Sequence, residues 1–394
     1  MKKIILIILC FSLIFNVKAL ELDISSKNAI MYNLSSNEIL YEKNSEEKVQ
    51  IASLTKLMTA LIVLEKKPNL DEQVLITSED LKGLAEENLV TAGFTQGSIV
   101  TYKDLLYGLI LPSGADAAKA ISRNIDGNFI DLMNQKATEL QLKNTHFDNE
   151  IGIDSEENYS TVKDLSVIFK ELLKKEEFVQ IIKTYTYTTS DGKLTFKSTI
   201  KKNAAKYNID IPYILGGKTG TTDEAGLCLA TTGKNKDTEF MLITTGALYD
   251  KKRPHNIDDA KIIYDYFIQN YSNQKIVDKE VSFKTLKTKY TKENEYKLYP
   301  TKDIIKYLPN DYDISKIEYK YQGLNEIKSN TKGKIGKVKI YYDNELLDTQ
   351  TLYLKNKLHF SLEKFIKENV KEITICILGL LTLSIFIIKS RVKQ

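Results

Sequence analysis

Three short groups of residues carry most of the chemistry open to this chain. The first is Ser53-Leu54-Thr55-Lys56, where small and hydroxyl residues give way to an apolar run from Leu57 to Leu64. That change of composition predicts the start of a helix, and residues three apart on a helix share a face. A serine hydroxyl is a poor nucleophile until a neighbouring base takes its proton. A lysine amine can be that base only if desolvation or a second cation lowers its pKa. The second group is Ser113-Gly114, which follows Pro112 in a break between two apolar helical stretches. A serine there is either a helix cap or a positioned hydroxyl. The third is Gly216-Gly217-Lys218-Thr219-Gly220-Thr221. Its glycines let a strand edge pass close to a ligand, and an ammonium beside a hydroxyl suits a carboxylate. It is not a phosphate loop, because the spacing before the lysine is wrong and strands rather than a helix follow. Each group alone has a bland meaning. A lone S-x-x-K is ordinarily a capped helix start with a solvated lysine.

The elements that must position these groups follow from local pattern. Ala29–Asn33 and Glu38–Glu42, separated by Leu34-Ser35-Ser36-Asn37, predict a hairpin ahead of the Ser53 helix, which stops near Pro68. Thr101 is a candidate cap for a helix through Leu111, and a further helix starts at Ala115. Phe129–Leu140 and a segment from Thr161 to about Lys175 read as amphipathic helices, with a polar, turn-rich loop at 144–154 between them. Cys228–Gly233 and Phe240–Gly246 predict two strands after the Lys218 segment, and Asp258–Asn270 a closing helix. From about Ile276 the chain becomes charged and tyrosine-rich, with short alternating runs at 281–283, 296–299, 317–321, 336–342 and 346–354. These predict a small β-rich domain without a catalytic set.

The ends of the chain describe a compartment. Lys2 and Lys3 precede an apolar run to Phe15 and then Val17-Lys18-Ala19, the pattern of a secretory signal over residues 1–19. Lipid attachment at Cys10 is poorly supported, since the bulky Phe11 follows it. Residues 373–388 are sixteen without charge, flanked by Lys371, Glu372 and Lys389. At ~1.5 Å per residue they cover about 24 Å of a ~30 Å hydrocarbon core, a gap that snorkelling lysines could close. A basic tail at 389–394 predicts a cytoplasmic end and an external body. Three lysines in 1–19 and three basic residues in 389–394 leave 50 basic against 52 acidic residues, so the body is electrically bland. No basic footprint for nucleic acid exists. Cys228 is the single cysteine left outside the end segments, so no intrachain disulfide is expected. His146, His255 and His359 form no ligand-spaced cluster, and neither a metal site nor a cofactor is expected.

Taken together, Ser53-x-x-Lys56, Ser113-Gly114 and Lys218-Thr219-Gly220 resemble the penicillin-recognising serine acyl-transferases. Their flanks, Ala52-Ser53-Leu54-Thr55-Lys56-Leu57-Met58-Thr59-Ala60, Asp116-Ala117-Ala118 and Gly217-Lys218-Thr219-Gly220-Thr221-Thr222, are similar to the low-molecular-weight penicillin-binding proteins that act as D-alanyl-D-alanine carboxypeptidases. Asn144-Thr145-x-Phe147-x-Asn149 and Tyr159-Ser160-Thr161-x-x-Asp164-Leu165 fit as well.

The resemblance implies an α/β catalytic domain, an antiparallel sheet with flanking helices and a helical lobe, over 20–272. It further implies a small β-sandwich over 276–361, a juxtamembrane segment at 362–372 and a transmembrane anchor at 373–388. It assigns Ser53 as nucleophile, Lys56 as base and Ser113 as proton relay. The backbone N–H groups of Ser53 and Thr221 would form the oxyanion site. Lys218, Thr219 and Gly220 would line the site of the substrate carboxylate, assisted by Arg253, and Lys218 would also hold Lys56 neutral. The partners implied are peptidoglycan stem peptides, β-lactams as covalent inhibitors, and the cell membrane.

One position departs from the pattern. The second motif usually ends in asparagine, and here it ends in Ala115. Restoring that amide is expected to raise kcat/KM two- to tenfold, the effect of about one net hydrogen bond. The alternatives are an endopeptidase of the same fold, a β-lactamase with Glu150 as its acid, and a non-catalytic wall-binding protein. The loop around Glu150 does not match the β-lactamase pattern.

Overall fold

The structure, a computed structural model, describes residues 20–391 and separates between Gln269 and Asn270 into two compact units. The signal-like segment with Cys10, and residues 392–394, lie outside the described residues.

The first unit is built on a five-stranded antiparallel sheet: β1 (Asn28–Asn33), β2 (Glu38–Lys43), β3 (Ile214–Thr222), β4 (Gly226–Asn235) and β5 (Thr238–Ala247), in the order β2-β1-β5-β4-β3. Both ends of the unit meet in its centre, where Ala29 faces Thr244 and Met31 faces Leu242. All six residues of β1 are buried, as expected of a strand covered on both faces. The helices are α1 (Lys56–Lys66), α2 (Tyr102–Ile110), α3 (Ala115–Ile125), α4 (Phe129–Glu139), α5 (Val162–Leu173), α6 (Glu176–Lys183), α7 (Thr199–Lys206) and α8 (His255–Asn270). Residues 56–63 of α1 are buried without exception, so α1 is the interior helix, packed against α2, α3, α4 and α5. Across the sheet, α8 places Tyr264 against Gly233 and beside Thr231. Its Asp259 accepts hydrogen bonds from the backbone N–H groups and hydroxyls of Ser25 and Ser26, fixing the N-terminal approach to β1.

Thr101 caps α2 in a reciprocal capping box with Asp104, as its position predicts. Asp104 also accepts from the Tyr187 hydroxyl and from Ser190, tying down a small hairpin (186–188 with 195–197) that the sequence pattern does not reveal.

The second unit contains three small sheets around one apolar core that includes Val277, Leu286, Ile327, Val338, Ile340 and Leu352. The strands used below are β6 (Glu295–Leu298), β7 (Lys334–Tyr342) and β8 (Glu345–Tyr353). β7 and β8 turn at Asp343-Asn344, both with positive φ, as a two-residue hairpin requires. The strand expected at 281–283 begins instead at Lys284. A short helix, α9 (Leu362–Glu368), leads into α10 (Val370–Arg391). α10 has 22 residues, or about 33 Å at ~1.5 Å per residue, and it carries the uncharged run between Lys371 and Lys389, whose stems can cover the remaining apolar thickness. It is the one helix among the described residues long and apolar enough to cross a membrane.

Candidate active site

Ser53 does not open an α-helix directly. It sits on a 3-10 turn, Ala52–Thr55, that feeds α1. Ala52 takes φ +45°, a left-handed conformation that costs a residue with a side chain about 1–3 kcal/mol. The turn is held from behind by Gly152, φ +91°, where any side chain would strike the Ala52 carbonyl. Gly220 on β3 holds it from the other side, because a Cβ there would stand 3.1 Å from the Ser53 nitrogen. Edge strand β3 therefore runs against the Ser53 backbone.

Lys56, the first residue of α1, is 1% exposed. Its Nζ lies 2.9 Å from Ser53 Oγ and donates to the Ile151 carbonyl at 2.6 Å. Burial pushes its pKa down from 10.5 to about 7, with Glu150 and then Asp116 opposing the shift through their charges. The sequence-based account, in which Lys218 keeps Lys56 neutral, is corrected here: burial is the principal cause. Lys218 is itself fully buried and well below its ordinary value, first by burial and then by repulsion from Lys56. Its Nζ donates to Ser113 Oγ at 2.6 Å and to the Thr219 carbonyl. Neither lysine Nζ is hydrogen-bonded to a carboxylate among the described residues.

Ser113 sits at φ +71° between α2 and α3, another strained position. What over-determines it is Asp116, whose carboxylate accepts from the backbone N–H groups of Ala92, Gly93, Phe94 and Ala117. The loop at 92–94 is thereby pinned to the start of α3, and Gly114 has no room for a side chain beside Ala92. Ala115 is 1% exposed and belongs to the apolar core. It is packed within that core, so an asparagine there would have to displace neighbouring side chains. The expected gain from restoring the amide is reversed on this geometry.

A cleft of about 330 Å³ is lined by Ser53, Ser113, Thr219, Gly220, Thr221 and Arg253; Lys56 and Lys218 are buried and do not line it, meeting it through the hydroxyls of Ser53 and Ser113. The Arg253 guanidinium is engaged by Asp258, with Nη2 2.7 Å from Oδ1, at the cleft wall. Thr199 and Asn203 of α7, with Tyr207 just beyond, line the cleft as well, from a segment with no legible motif. Thr199 Oγ1 lies 2.9 Å from Thr219 Oγ1 and so orients the hydroxyl on β3. Glu150 does not line the cleft; its carbonyl accepts from Thr59 Oγ1. Among the described residues no group of histidine, cysteine, aspartate and glutamate side chains could hold a metal.

The arrangement is two hydroxyl–amine couples facing one slot, one hydroxyl on a helix turn and one at a helix break, beside a glycine-rich strand edge. A family model described as D-alanyl-D-alanine carboxypeptidase, peptidase S11, matches residues 15–249. The D-alanyl-D-alanine carboxypeptidase DacF of Bacillus subtilis is 29% identical over 323 residues, covering 80% of this chain and 78% of its own. The crystal structure of the Streptomyces K15 DD-transpeptidase is 30% identical and superposes with a TM-score of 0.56, over 63% of this chain and 98% of that one. Penicillin binding protein 5 from Haemophilus influenzae, 22% identical with a TM-score of 0.63, has the same fold over 86% of this chain and 99% of its own. The chain belongs to the peptidase S11 family, the D-alanyl-D-alanine carboxypeptidases.

Proposed function

We propose that Ser53 carries the D-alanyl-D-alanine carboxypeptidase reaction of this family, removing the terminal D-alanine from peptidoglycan pentapeptide stems. The observation that carries the assignment is the pair of couples, Ser53 with Lys56 and Ser113 with Lys218, on one cleft. The neutral Lys56 amine takes the Ser53 proton as Oγ attacks the carbonyl carbon of the penultimate D-alanine. Charge developing on that carbonyl oxygen is met by the backbone N–H groups of Ser53 and Thr221. Collapse breaks the peptide C–N bond, Ser113 relays a proton to the leaving amine, and D-alanine departs. Water then attacks the acyl-serine ester, which returns Ser53 and the shortened peptide. Lys218 and the Thr219 hydroxyl, steadied by Thr199, hold the terminal carboxylate, and Gly220 lets β3 approach the Ser53 backbone. Arg253, held by Asp258 through Nε and Nη2, offers its remaining N–H groups at the wall.

A β-lactam presents an amide carbonyl and a carboxylate in similar relation, so it acylates Ser53 and inhibits. α10 anchors the chain in the cell membrane with the basic tail inside and the residues before α10 outside. The reading is supported by the apolar length of α10 and by the charge that follows it. The test is acylation: a labelled penicillin forms one covalent adduct on the full chain, and Ser53→Ala abolishes both the adduct and D-alanine release from a pentapeptide ending in D-Ala-D-Ala. An adduct that persists in S53A overturns the assignment.

A further inference from the structure

A larger cavity than the catalytic cleft, about 650 Å³, lies within the second unit, with no serine or cysteine in its lining. It opens between edge strand β6, which pairs on one side only, and the end of edge strand β8 with the segment that follows it. The floor is apolar and buried: Leu298, Ile335, Leu352 and Leu358. Tyrosines stand on the walls. Tyr296 and Tyr299 are half-buried, and Tyr353 is 60% exposed although it ends a paired strand.

The polar rim decides what could occupy this groove. Its carboxylates are already engaged: Glu293 with His359, Nδ1 to Oε1 at 2.8 Å, and Glu295 with Lys297. A cationic ligand would have to break those pairs. The chain flanking the two edge strands is already hydrogen-bonded. The Lys355 N–H donates to the Tyr296 hydroxyl at 2.9 Å, and the Lys292 N–H to the His359 carbonyl at 2.8 Å. The rest of the lining is tyrosine side chains and the apolar floor, with Lys355, Asn356 and Lys357 as side-chain donors. A pyranose ring has an apolar C–H face and a rim of hydroxyls, and an acetamido group adds a carbonyl acceptor. Amphipathic aromatic walls with a few polar groups match that chemistry. The volume lies within the ~300–1,000 Å³ of small-ligand sites.

We propose that this groove binds the glycan backbone of the wall polymer, a strand of N-acetylated amino sugars, with Tyr299 and Tyr353 as its stacking platform. The proposal rests on the reading that the chain acts on peptidoglycan, since only then is a glycan tethered to the peptide in the catalytic cleft. A second-unit grip on the strand raises the local concentration of stem peptides, because the next encounter is then confined by the same polymer.

The test uses the full chain in detergent and, as probe, peptidoglycan glycan strands stripped of their peptides by an amidase. Binding by titration calorimetry is expected to saturate in wild type and in S53A alike. Tyr353→Ala and Tyr299→Ala are each expected to weaken it at least tenfold, with melting temperature and D-alanine release from a free pentapeptide unchanged. No saturable binding at millimolar sugar, equal binding in the Y299A/Y353A double variant, or binding only while stem peptides remain attached would each overturn the proposal. The two readings fail separately. Released D-alanine without glycan binding sinks the groove, whereas glycan binding without D-alanine release sinks the reaction.

Discussion

The burial of Lys56 has a direct kinetic consequence, because the amine acts as a base only in its neutral form. With its pKa lowered from 10.5 to about 7, the neutral fraction is about 10% at pH 6 and about 90% at pH 8. The acylation rate, followed by stopped-flow with a fluorescent penicillin, should therefore rise about tenfold between those pH values, with unit slope below pH 7. Glu150 is the larger of the two charges that favour the protonated form, so Glu150→Gln should move the limb to lower pH. Because Glu150 does not line the cleft, deacylation should be unchanged in E150Q, which separates this chemistry from that of a β-lactamase. Lys56→Met should remove the limb and cost about 10²–10⁴ in rate. The same shift appears in stability. The unfolded chain holds the Lys56 proton up to about 10.5 and the folded chain only to about 7, so the unfolded state binds more protons across that window. Stability relative to K56M should accordingly rise with pH between 7 and 10.5, by about 1.4 kcal/mol per unit. An acylation rate flat or falling from pH 6 to 8, or a limb that E150Q moves to higher pH, would refute the reasoning.

Two further outcomes follow from geometry. Ala115→Asn should lower both melting temperature and kcat/KM, since a larger polar side chain at a 1% exposed site overpacks the core by about 1–3 kcal/mol; a raised kcat/KM with an unchanged melt contradicts this. Deleting residues 370–394 should release active enzyme from the membrane fraction, and quantitative retention of the truncated chain would place the anchor elsewhere.

The parts of the site that were legible in the sequence are those whose meaning is local. Ser53 and Lys56 share a helical turn, Ser113 follows a proline in a helix break, and Lys218-Thr219 is bracketed by glycines on a strand edge. Their order along the chain carries the resemblance. What was not legible is what the fold brings from a distance. The Ile151 carbonyl reaches Lys56 across 95 residues, and no side-chain identity encodes a backbone acceptor. The wall formed by α7 comes from an eight-residue helix with four lysines or asparagines among its members, which carries no motif. Gly152 reads in sequence as part of a polar loop; only the structure shows that it makes room for the Ala52 carbonyl. The cause of the Lys56 shift was misread for a similar reason. Sequence displays the second cation, Lys218, but not the degree to which α1 is enclosed.

That enclosure explains why both lysines lack a carboxylate partner. A buried acid beside either would hold it charged, and Lys56 could then not accept a proton. The partners that are present, Ser53, Ser113 and two backbone carbonyls, orient the amines without neutralising them. The missing anion is the substrate's own terminal carboxylate. When it docks beside Lys218 it favours the proton there, and the resulting ammonium repels a second proton on Lys56. Binding and activation of the base thereby become one event: the groups that recognise a free carboxyl terminus also prepare Ser53. The limb in kcat, measured with the cleft filled, should then lie at lower pH than the limb in kcat/KM, which reports the free enzyme. A peptide amidated at its terminus would occupy the same cleft without supplying that charge, and it would leave the Lys56 limb where the free enzyme has it.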